Sequence, residues 1–163
     1  MQLMKTQLIK DILVSEPDGR LVTICGWVRT KRDSKNLCFI QVNDGSCFAT
    51  IQLTFDRENA NPNNENIENT LPNVTTGASI KATGKLIPSP ASGQAVEVAL
   101  ETLEVLGVSP SDYPLQKKGH TVEFLRENSH LRARTNMFGA VARMRSEMAF
   151  AVHSFFQEKG FFY

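Results

Sequence analysis

Five runs of alternating apolar and polar residues lie between Leu21 and Leu106, each bounded by turn-forming residues. A period of two cannot serve an α-helix. It fits strands with one face in a core and the other in water. The first run, LVTICGWVRT, sets Val22, Ile24 and Val28 on one face and Thr23, Cys25, Trp27 and Arg29 on the other. LCFIQV is the second, and Asn43-Asp44-Gly45 predicts a tight turn into the third, CFATIQLTF. The fourth and fifth, ASIKATGKLI and AVEVALETLEVL, are joined by the loop PSPASGQ. Spacings of about 8–20 residues with no long helix between them disfavour a parallel sheet.

A polar interlude separates the third and fourth runs. It holds seven asparagines (Asn59, Asn61, Asn63, Asn64, Asn66, Asn69 and Asn73), with Ile67 and Leu71 spaced for a short helix. Five strands with a helix between the third and fourth predict a mainly β Greek-key barrel of the OB-fold type over residues 1–106. Such barrels bind oligonucleotides across strands 2 and 3. Lys5–Val14 adds Leu8, Ile9, Ile12 and Leu13 at helical spacing.

Beyond the barrel, GVSPSDYPLQKKG (107–119) has no periodicity and is expected to be a linker or hinge. The period then returns to 3.6 over 120–163. EFLRENSHLR predicts a short helix and Thr135 a cap for a long one. Met137, Val141, Met144, Met148, Val152 and Phe155 line one stripe of that helix, and Gly160 stops it. Phe161, Phe162 and Tyr163 look like the start of an apolar strand, so a truncated chain is expected.

Charge points to function only locally. The chain has 18 basic and 17 acidic residues, yet Arg29, Lys31, Arg32 and Lys35 crowd into seven positions, in what is expected to be a loop. In the second run Cys38, Ile40 and Val42 face inward, so Phe39 shares the outer face with Gln41. In the third, Cys47, Ala49, Ile51, Leu53 and Phe55 face inward, leaving Phe48, Thr50, Gln52 and Thr54 outside. An exposed aromatic, amides and nearby cations suit single-stranded nucleic acid: rings stack on bases, amides read base edges, and cations hold phosphates. A buried strand phenylalanine beside a solvated basic turn is the alternative. Cys25, Cys38 and Cys47 form no CxxC pair, and His120, His130 and His153 lack metal-ligand spacing, so no metal is expected. No segment is apolar and long enough to span a membrane or act as a secretory signal.

GWVRTKRDSKNLCFIQVNDGSCF, VTTGASIKATGKLIPSP and the stretch from YPLQKKGHTVEFLRENSHLRARTNMFGAV to Tyr163 resemble bacterial-type asparaginyl-tRNA synthetase, of the class II aspartyl/asparaginyl/lysyl subgroup. The likeness runs from about Leu21 to Tyr163. An RYLDL-like segment, expected of the aspartyl and lysyl relatives, is absent where HLRARTNMFGAV stands. The resemblance implies a barrel that binds the anticodon loop of tRNA(Asn). Phe39 would stack on the middle uridine, Arg32 and Gln52 would bond its edge, and Glu97 would lie near the neighbouring bases. Arg29, Lys31 and Lys35 would contact phosphates. Residues 120–163 would begin the catalytic domain, with Met137, Val141, Met144, Met148 and Phe155 at a homodimer interface. Ala133 departs from the proline common in the family. The later signatures, with their ATP-binding arginines, are missing, so this fragment is expected to hold no catalytic residue and no cofactor. ATP, Mg²⁺ and asparagine are implied only for a full-length, cytoplasmic ligase. A stand-alone OB-fold binder of single strands without base preference fits the basic stretch and Phe39 equally well, but not the tail after Gly119.

Overall fold

The computed structural model describes residues 6–59, 61–91 and 93–162, in two compact units, Met1–Lys118 and Gly119–Tyr163. The first is a barrel. Strands β1 (Leu21–Asp33), β2 (Leu37–Asn43), β3 (Ile51–Asp56), β4 (Ser79–Pro88) and β5 (Val96–Gly107) close in the order β1-β2-β3-β5-β4. All neighbours are antiparallel except β3 and β5, which pair in parallel at Leu53↔Val98 and Thr54↔Ala99.

β1 serves two partners. Its first half pairs with β4 and its second with β2, and the change comes at Gly26 and Trp27. A side chain at Gly26 would lie 2.7 Å from a Val42 methyl carbon and 2.9 Å from the Asn43 carbonyl oxygen, so the bend requires glycine. A bulge between Val28 and Thr30 then leaves Arg29 out of the ladder and reverses the alternation. Arg29, Lys31 and Arg32 therefore belong to β1, and only Lys35 sits in the turn. This corrects the expectation of a basic loop.

Ile24, Ile40, Ile51, Leu53, Phe55, Leu86 and Val98 fill the interior at 0–1% exposure. Each such side chain removed from water contributes roughly 1.5–3 kcal/mol. Helix α2 (Asn64–Thr70) and a 3₁₀ turn (Leu71–Asn73) add Ile67, Leu71 and Val74 to the same core. The asparagines around α2 fasten it to the sheet: Asn61 Nδ2 donates to the Leu100 and Glu101 carbonyls, and Asn63 Nδ2 to Glu101.

Three local expectations change. The N-terminal helix shrinks to one turn, α1 (Ile9–Ile12), while Lys5 lies outside the described residues. The β2–β3 connection is a seven-residue loop, 44–50, so β3 starts at Ile51 and not at Cys47. Asn43 holds that loop open by donating to the Cys47 and Ala49 carbonyls. The segment from 107 to 118 packs on the barrel: Thr75 Oγ1 donates to the Ser109 carbonyl, and a side chain at Gly77 would strike Ser109 and the Tyr113 ring.

In the second unit, α3 (Val122–Glu127) is capped by Thr121, whose hydroxyl accepts from the Phe124 N–H at 3.2 Å. A 3₁₀ turn (Arg132–Arg134) leads to α4 (Asn136–Glu158). Thr135 takes the N-cap position, but its hydroxyl donates backward to the Arg132 carbonyl at 2.6 Å instead of accepting a helix N–H. The far end closes as a Schellman motif. Gly160 at φ +84° bonds the Gln157 carbonyl, Phe161 N–H bonds Phe156, and the two phenylalanine rings meet edge to face. Tyr163 lies outside the described residues. No helix among the described residues is long and apolar enough to cross a membrane.

Candidate nucleic-acid interface

The register of three strands lays out a grid on the outer face of the barrel. Arg32 stands opposite Phe39, and Phe39 opposite Thr54. One row away, Thr30 stands opposite Gln41, and Gln41 opposite Gln52. The Arg32 guanidinium carbon is 5.4 Å from the Phe39 ring centroid, within cation–π range. Arg32 is exposed and Phe39 half-buried. The Thr54 hydroxyl beside them is buried with no hydrogen-bond partner among the described residues.

Gln52 lies on the expected face but is not exposed. At 6% exposure it is covered by Glu97, itself 4% exposed, which reaches across the β3–β5 seam. Glu97 Oε2 accepts from Gln52 Nε2 at 3.1 Å, Ser89 Oγ at 3.1 Å and Gln94 Nε2 at 3.3 Å. A carboxylate only accepts, so it fixes which end of the Gln52 amide faces it. The amide nitrogen is turned to Glu97, and no described residue donates to Oε1. In the next column, Gln41 Oε1 accepts from Thr30 Oγ1 at 3.3 Å.

The cations divide. Lys35 is exposed on the turn, while Arg29 is half-buried at the bulge and engaged. Lys31, placed on the inner side by the bulge, donates Nζ to the Leu71 carbonyl at 2.7 Å. Its expected phosphate contact would have to coexist with that bond. Under the grid, Cys38 is buried, and burial pushes its thiol up to about 11, so it is a core residue and not a nucleophile. Phe39 and Gln52 fell on this face by alternation, and Arg29, Lys31, Arg32 and Lys35 stood out by charge, though not in their placement. Ser89 and Gln94 carried no such signal, because a loop has no period.

In α4, Met137, Val141, Met144, Met148 and Phe155 are 47–63% exposed. Among the described residues no three His, Cys, Asp or Glu side chains gather as metal ligands.

A family model described as an OB-fold nucleic acid binding domain matches residues 22–106, just over half of the chain. The chain belongs to that family. Nearly the whole chain is also highly similar to known proteins. It is 58% identical over 157 residues to asparagine–tRNA ligase of Treponema denticola, covering 96% of this chain and 33% of the relative. It is 51% identical to the same enzyme of Cytophaga hutchinsonii, covering 98% and 34%. The chain thus spans about a third of the relatives it matches. Asparaginyl-tRNA synthetase from Pyrococcus horikoshii superposes with a TM-score of 0.80 over 98% of this chain and 37% of that one. At 20% identity, that likeness speaks for the fold alone.

Proposed function

We propose that the chain is the anticodon-reading portion of an asparagine–tRNA ligase and that the β1–β3 face binds the anticodon's middle uridine. The fixed orientation of Gln52 carries this reading. Uracil presents N3–H flanked by two carbonyl oxygens, and an acceptor held at Gln52 Oε1 suits that N–H. Cytosine presents a bare N3 there, and two acceptors facing each other repel. Phe39 supplies the stacking surface, worth about 1–3 kcal/mol per base. Arg32 leaves the ring to donate to a uracil oxygen, and Lys35 with Arg29 meets phosphates. Glu97 holds Gln52 in place and borders the loop from Pro88 to Ala95. The high identity to asparagine–tRNA ligases supports the choice of tRNA over single strands in general.

The corollaries for the whole enzyme are ATP-dependent activation of asparagine with Mg²⁺, transfer to tRNA, and a homodimer using the exposed α4 stripe.

Binding of this chain to an anticodon stem-loop bearing GUU, beside one bearing GCU, at one salt concentration tests the proposal. A preference for GUU supports it. Equal, salt-sensitive binding reduces the face to an electrostatic surface without base preference.

A further inference from the structure

The hairpin that carries the recognition cations contains an acid of its own. Asp33 follows Arg32 and stands two residues before Lys35, the nearest acid to both along the chain. It pairs with neither. Its Oδ1 accepts from Arg57 Nη2 at 2.8 Å. Arg57, immediately after β3, holds the rest of the turn as well. Nη1 donates to the Ser34 carbonyl at 2.6 Å, and the backbone N–H donates to the Asn36 carbonyl at 3.0 Å. Nε donates to Glu68 on α2, and the guanidinium carbon lies 5.8 Å from the centroid of the buried Phe55 ring. Neither Arg32 nor Lys35 has an ion pair among the described residues.

We infer that Arg57 is a positioning residue for nucleic-acid recognition: it sequesters the Asp33 carboxylate, so that Arg32 and Lys35 keep their charge for the ligand. This rests on the β1–β3 face being the binding face. A planar guanidinium is suited to the task because its donors sit on three nitrogens in a fixed, divergent fork, whereas an ammonium gathers its three donors at one point.

The test uses the whole chain with two probes, the GUU stem-loop and inorganic polyphosphate, a polyanion without bases. Arg57→Gln weakens both about 5- to 10-fold near 0.1 M salt and reduces the salt slope by roughly one released counterion. Adding Asp33→Asn returns both to within about twofold of wild type, because the freed carboxylate is gone and the local charge is restored. Asp33→Asn alone binds both probes at least as tightly as wild type. A clamp that only props the turn behaves oppositely. Asp33→Asn would then weaken binding by itself, the double variant would stay as weak as Arg57→Gln, and either result overturns the inference. Should Arg57→Gln fail to fold, Asp33→Asn alone decides. If the wild type and variants show the expected pattern on polyphosphate while GUU and GCU loops bind equally, anticodon reading falls and the clamp stands. A wild type that binds neither probe overturns both.

Discussion

At the scale of single residues, the face is a compromise between access and order. Phe39 is half-buried and carries Arg32 on its ring, so Phe39→Ala is expected to weaken stem-loop binding by the stacking contribution of about 1–3 kcal/mol. The same change should cost far less stability than the roughly 3–5 kcal/mol typical of a buried phenylalanine, read by denaturant titration. A loss of that size would make Phe39 a core residue and remove the platform. Gln52 behaves differently because Glu97 depends on it. Gln52→Ala takes one of three donors from a buried carboxylate, so a stability loss of about 1–3 kcal/mol should accompany the loss of GUU preference. The alternation of β3 placed Gln52 on the correct face but could not show that it is covered. The covering group lies 45 residues away, and a period within one strand holds no information about its neighbour.

At the scale of elements, the caps and turns decide where helices and strands begin. Helix α1 is a single turn without a cap of its own, and the β2–β3 loop supplies one. Asp44 Oδ2 accepts from the Ile9 N–H at 2.8 Å and Ser46 Oγ from Lys10 N–H at 3.1 Å. Partial burial acts to raise the Asp44 pKa. Hydrogen bonds from Ser46 and Ile9 outweigh it and hold the carboxyl below its ordinary value. A depressed value in the folded state means that this stabilisation is present above the unfolded pKa and disappears as pH falls toward the lower one. Stability should therefore decline below about pH 4, and Asp44→Asn should flatten that decline and cost about 1 kcal/mol at neutral pH. Urea titrations across pH check both. The other end of the chain was readable, since Gly160 sits where helical periodicity stops. Gly160→Ala at φ +84° should cost about 1–2 kcal/mol of local order, seen as faster amide exchange at Phe161. Thr135 shows the limit of such reading: the residue type was right for a cap, but its hydroxyl found a carbonyl first.

At the scale of the molecule, the number of strands and their succession along the chain were legible because each has its own alternation and its own turn residues. The bulge in β1 was not. It sent Lys31 to the inner side of a strand that runs on through Lys31 and Arg32, two cations expected in a loop, and no residue in LVTICGWVRTKRD announces it. The closure of the barrel has an equally local weak point. A side chain at Gly84 would come 2.1 Å from the Ala99 carbonyl oxygen, so Gly84→Ala is expected to prevent the native barrel from forming, with loss of the cooperative unfolding transition. The β3–β5 seam, with only two paired positions in its register, joins segments distant in sequence, whereas β1–β2 and β2–β3 are neighbours along the chain. Loop-closure entropy places such a seam late in folding. The Gln52–Glu97 contact straddles it. Attraction for phosphates, which needs the β1–β2 hairpin and Arg57 at the end of the adjoining β3, then arises before discrimination among bases. In a refolding experiment the chain would pass through a stage at which it holds RNA without reading it.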